Sequence, residues 1–127
     1  MENKNVTEFL RKELLRPRPE LNDNNLSSLG WKKGAYFEDK LTIAECSYYN
    51  KTISFSSYWF SNPSKALIKE VILHEIAHAI DDTINEPDKH NLPPHNRKWR
   101  SIAKTLGCAY GAKIPVKKLF FGKSSLL

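Results

Sequence analysis

The segment "SNPSKALIKEVILHEIAHAIDD", residues 61–82, constrains this chain more than any other. Asn62 can cap a helix, Pro63 suits its first position, and about 19 residues follow without a breaker. With His74 at zero on a helical wheel, His78, Asp81, Val71 and Leu67 fall within roughly 60° of it. Ile72, Ile76 and Ala79 take the opposite side, with Leu73 and Ile80 beside them. The second half is apolar nearly all round, so the helix must be enclosed on several sides. The rest of the chain has to supply that enclosure.

Upstream, residues 3–15 place Val6, Phe9, Leu10 and Leu14 at helical spacing, ending before "RPRPE". "LNDNNLSSLG" reads as a loop. From Trp31 to Ser57 the chain is rich in Tyr, Phe, Ile and Thr, and Ile53 and Phe55 share a face in "KTISFSS". "SYYNKTISF" reads as a hairpin turning near Asn50-Lys51, with earlier strand material in "WKKGAYFEDKLTIAE"; three antiparallel strands are expected. Downstream, a second helix is expected from Pro94 or His95 to about Leu106, stopped by Gly107. "KKLFF" reads as an edge strand. The fold class is α+β, in a single domain over 1–127, with its core at about 30–108 and a basic tail at 109–127.

The net charge of +6 hides an asymmetry. Residues 1–88 hold all 14 acids and 11 bases; residues 89–127 hold 9 bases and no acid. Arg97, Lys98, Arg100, Lys104, Lys113, Lys117 and Lys118 fall in this basic third. They form a candidate footprint for nucleic acid or substrate, or else a solvated surface. No continuous apolar h-region marks a secretory signal, and no run approaches the roughly 18 apolar residues of a membrane span. Cys46 and Cys108 are too few and too far apart for a zinc ribbon or disulfide framework, and read as reduced thiols. The expected setting is cytoplasmic.

His74 and His78, at i and i+4, offer two imidazoles from one helix face, as a zinc ion requires. Glu75 lies about 100° round the helix from His74, where it can reach a metal-activated water without ligating. This is the HExxH arrangement of zinc hydrolases. Ordinary hydrogen-bonded histidines are the alternative, but unpaired imidazoles among Leu, Ile and Ala are costly to bury. For a third ligand, a metzincin pattern fails because Asp81 and Ile84 stand where Gly and His belong. No acid follows Asp88, which leaves His90, His95 or a loop carboxylate such as Glu86. His95 follows a stiff Pro-Pro at a helix start, where the backbone is better held, and is favoured over His90.

"LTIAECSYYNKTISFSSYWF", "ALIKEVILHEIAHAI" and "HNRKWRSIAKTLGC" together resemble the SprT-like zinc metalloprotease family, over roughly residues 41–108. The resemblance implies a minimal zincin-like domain, one zinc at His74, His78 and His95, and a catalytic Glu75. Asn96 stands where the family pattern has glycine. The zinc ribbon of some relatives is missing, so any nucleic-acid contact falls to the basic third.

Trp99 reads as a core anchor before a substrate contact, and Trp31, Trp59 and the Tyr48-Tyr49 pair as packing before base stacking. Asp81 or Asp82 could orient a ligand histidine; Arg97 and Arg100 could face an oxyanion or a phosphate. The expected function is a zinc endopeptidase acting on protein substrates near DNA. The alternatives are a non-catalytic zinc-stabilised nucleic-acid-binding or interaction module, and a zinc hydrolase of another amide or ester.

Overall fold

A computed structural model describes residues 3–86 and 95–121. His90, Lys89 and the expected helix start at Pro94 lie outside the described residues. Helix α1 (Lys4–Leu15) opens on Asn3, whose side chain accepts from the Asn5 and Val6 amides at 2.9 and 3.2 Å. It stops at Arg16, extended ahead of Pro17 as residues before proline prefer. Beyond the stop, Arg18 folds back under cover: its Nη2 donates to the Glu13 carbonyl and to Glu13 Oε1, both at 2.9 Å. Two 3-10 turns follow, Pro19–Leu21 ending at the first residue of the stretch expected as loop and Ser27–Leu29 within it.

Three short strands follow: β1 (Lys32–Lys33), β2 (Ala44–Ser47) and β3 (Thr52–Phe55). β2 and β3 form the expected hairpin, turning through Lys51 at φ 52°. The sheet order is β1-β3-β2, and β1 runs parallel to β3 rather than antiparallel as expected. The reason is tertiary. Trp31 is buried, its indole N–H donating to Thr83 at 2.9 Å, and the chain then runs beside β3 as far as the Phe37–Ser56 bridge. It turns back through 38–43 to form β2, and β3 fills the slot between. Gly34 leaves room there, since a Cβ would collide with Ser54 Oγ unless that hydroxyl turned aside.

After the one-turn helix α2 (Ser57–Phe60), which the sequence pattern did not announce, α3 spans Lys65–Asn85. Its cap is Ser64, not Asn62. Ser64 Oγ accepts from the Leu67 amide at 3.1 Å and donates to the Leu119 carbonyl at 2.7 Å, a second bond from outside the helix. Every residue from Glu70 to Ala77 is buried. The enclosure comes from α1, β2, the Pro19–Leu21 turn and two later helices, α4 (Arg97–Leu106) and α5 (Val116–Phe121). α4 starts after the Asn96 cap, so His95 precedes the helix rather than beginning it. α4 ends at Gly107 with φ 91° as expected. The "KKLFF" segment is helical, not an edge strand. Leu119 N–H bonds to Pro115 O at 3.0 Å and Phe120 packs edge-on to Trp59, so its backbone is satisfied locally and its apolar side docks. Among the described residues no helix is long and apolar enough to cross a membrane.

Candidate metal centre

Helix periodicity sets His74 and His78 one turn apart on α3, and the chain returns to place His95 opposite them. Their Nε2 atoms form a near-equilateral triangle: His74 to His78 3.2 Å, His78 to His95 3.1 Å, His95 to His74 3.1 Å. Three neutral rings cannot satisfy one another there, because each shared contact needs one nitrogen to donate and the other to accept. A cation does satisfy them. A tetrahedral zinc with bonds of about 2.0–2.1 Å spaces its ligand nitrogens about 3.3 Å apart, close to the triangle present. These three residues could hold a metal ion. Glu86, the alternative carboxylate, caps the end of α3 and is not in the group.

The electrostatics fit a cation as well. Burial, then the nearby histidines, pushes His78 down to about 3; burial, then His95, pushes His74 down to about 4. Both rings are therefore neutral at ordinary pH, the state in which imidazole ligates. His74 is 9% exposed whereas His95 is exposed, so among the described residues the triangle is closed on the His74 side and open on the His95 side. Structural zinc sites are closed by a fourth protein ligand, and catalytic ones keep a position open.

Trp99 builds the wall behind the triad. It is fully buried, one turn into α4, with ring centroids 4.8 Å from His74, 5.0 Å from His78 and 4.6 Å from His95. It is at once the core anchor read from sequence and a direct neighbour of all three histidines. Asn96, the departure from the family's glycine, accepts from the Lys98 and Trp99 amides at 2.8 and 3.2 Å, which holds the helix start beside His95.

Glu75 is buried on the side of α3 that faces β2. Burial first, then Asp82 and Glu45, raises its pKa to about 8. Asp82 is raised to about 6 by burial and by Asp81, and Cys46 Sγ donates to it at 3.8 Å. Neither Asp81, which accepts from Asn85, nor Asp82 is hydrogen-bonded to a triad histidine. Both thiols are free, and burial raises both. The bases Arg97, Lys98, Arg100 and Lys104 are exposed on α4, with Lys98 Nζ donating to Asn85 at 3.2 Å. Lys113, Lys117 and Lys118 are also exposed. Lys117 and Lys118 ride on α5, docked at Ser64, about 15 Å along the α3 axis from His74.

A family model described as "SprT-like family" matches residues 21–118. The chain belongs to the SprT-like family. The match extends beyond the 41–108 segment that carried the resemblance, taking in the Pro19–Leu21 turn's last residue and the first half of α5. No curated protein and no solved structure matches the chain. One feature of this SprT-like chain had only a faint signal in its sequence: Glu70, a buried ionisable residue one turn before His74, whose Oε1 accepts from the Ala109 amide at 2.8 Å.

Proposed function

We propose that this SprT-like chain is a zinc-dependent endopeptidase acting on proteins held at DNA. The observation that carries the reading is the triangle of Nε2 atoms at 3.1–3.2 Å with Glu75 next in the chain to one of its ligands. Zinc bound there would act as a Lewis acid toward a peptide carbonyl and make water acidic enough to react near neutral pH. Glu75 takes the proton from the attacking water and returns it to the amide nitrogen that leaves. His74, His78 and His95 serve as ligands, with Trp99 restricting their rings.

The sheet supports a protein substrate. β2 ends the sheet on one side and packs on α3, and Glu45 and Cys46 lie close enough to Glu75 to interact electrostatically. An extended peptide adding to that edge would run beside the base. The exposed bases of α4 follow His95 directly and suit phosphate contact, which would bring a DNA-bound protein to the centre. A non-catalytic zinc staple would leave the burial of Glu75 without a use.

Digestion of protein substrates by wild type and Glu75→Gln, with and without single- and double-stranded DNA, tests this. Glu75→Gln should retain zinc and lose proteolysis by orders of magnitude, since it removes the base and no ligand. Equal digestion by both forms excludes Glu75 as the base. No digestion by wild type under any of these conditions favours the non-catalytic module.

A further inference from the structure

Besides Trp99, the His74 ring has a loop beside it that supplies none of the three ligands. His74 directs Nε2 at His78 and His95, so its Nδ1 points away from the triad. That nitrogen is buried and makes no hydrogen bond of ordinary geometry. A histidine that ligates through Nε2 carries its proton on Nδ1, and a buried N–H needs an acceptor. The Gly111 backbone lies against this ring. Gly111 belongs to the segment between α4 and α5, with φ 60°.

Beside the packing of Cys108 and Ile114 against the core, hydrogen bonds hold that segment and its ends at three points. Cys108 N–H bonds to Ala103 O at 3.0 Å as the chain leaves α4, and the Leu119 carbonyl accepts from Ser64 at the far end. Between them, two residues before Gly111, the Ala109 amide donates to Glu70 Oε1 at 2.8 Å. Glu70 is only 5% exposed and stands on α3 four residues before His74, on the same face. One helix face therefore supplies both the ligand and the group that tethers the loop behind it.

We propose that Glu70 is a positioning residue for the metal centre: by holding the Ala109 amide it sets the 107–115 segment so that the Gly111 carbonyl serves His74 Nδ1 when Nε2 ligates. This role rests on the three-histidine reading but not on proteolysis.

Zinc affinity by chelator competition, paired with nitrogen–proton NMR of the zinc-loaded protein, tests it. Glu70→Ala should weaken zinc binding roughly 10–100-fold, as removal of a ligand-orienting group does. It should also abolish the hydrogen-bonded Nδ1–H signal of His74. Glu70→Gln keeps an oxygen that can accept from Ala109, so affinity and signal should both return to wild type. Wild-type affinity in Glu70→Ala overturns the role, and so does a Glu70→Gln as weak as Glu70→Ala. If Glu70→Ala does not fold, Gly111→Ala decides. A Cβ at Gly111 meets nothing within 4 Å, but a φ of 60° strains alanine, so the substitution stresses the backbone at that carbonyl without a packing clash. Weaker zinc binding is expected there, and unchanged binding overturns the role. His95→Ala with wild-type zinc affinity would remove the three-histidine site and this role together. Normal zinc affinities without proteolysis would overturn the endopeptidase alone.

Discussion

Glu75 is held in a place that disfavours its charge, and the consequence is measurable without any substrate. Its pKa is raised from 4.5 to about 8 in the folded chain, first by burial and then by Asp82 and Glu45. For a raised carboxyl, the folded state binds the proton more tightly than the unfolded one. Its contribution is therefore complete below the unfolded value of 4.5 and is lost as pH rises through about 8. Glu75→Gln removes this titration. Denaturation of the metal-free proteins should show variant and wild type drawing apart in the variant's favour as pH rises from about 5 to 8, by about 1.4 kcal/mol per unit. A gap independent of pH would mean that Glu75 is not desolvated. The sequence placed Glu75 beside the ligand by helical spacing, but its burial against β2 was not legible, since no local pattern pairs 75 with 45.

At the level of elements, the decisive junction is the start of α4. Asn96 satisfies two amides of its first turn, and His95 hangs immediately ahead of that cap. Asn96→Ala should destabilise the protein by about 0.5–2 kcal/mol, the usual range for a missing N-cap. It should also weaken zinc binding, because the backbone that directly follows His95 is loosened. Denaturant unfolding and chelator competition check the two effects separately. Lower stability with zinc affinity intact would show that something other than the cap holds His95. The expected start at Pro94 or His95 differs from the observed one because Asn is a stronger cap than either residue, a signal present in the sequence and outweighed there by the Pro-Pro. The strand expected at "KKLFF" has another source: two aromatics after two lysines fit either period, and only docking against Trp59 selects the helix.

For the whole molecule, charge is the property with reach. Two basic groups stand apart, one on α4 beside the metal centre and one at α5 near the start of α3. Replacing Lys113, Lys117 and Lys118 with Gln should weaken DNA binding and flatten its salt dependence, by roughly one unit of slope for each phosphate no longer neutralised. Cleavage should fall only where DNA is required, and digestion of a free unfolded protein should be nearly unchanged. Binding measured across a salt series decides this. Negligible DNA affinity of the wild type at low salt removes the nucleic-acid role and leaves the metal centre as it is.

What the sequence determined by itself lies within a turn or two of chain: the one-face spacing of His74 and His78, the hairpin at Lys51, the helix stop at Gly107. Helical rise, strand alternation and positive φ are local rules, and a linear pattern carries them completely. Elimination narrowed the third ligand to His90, His95 or a loop carboxylate, with His95 favoured, but the 3.1 Å approach of its nitrogen to the other two was decided by α4 packing on α3 through Trp99. The parallel pairing of β1 follows from burying Trp31 against Thr83, 52 residues away. The tether from Glu70 to Ala109 spans 39 residues in the same fashion. Such contacts are chosen by how the enclosed faces of α3 are filled, and that choice belongs to the packed core as a whole.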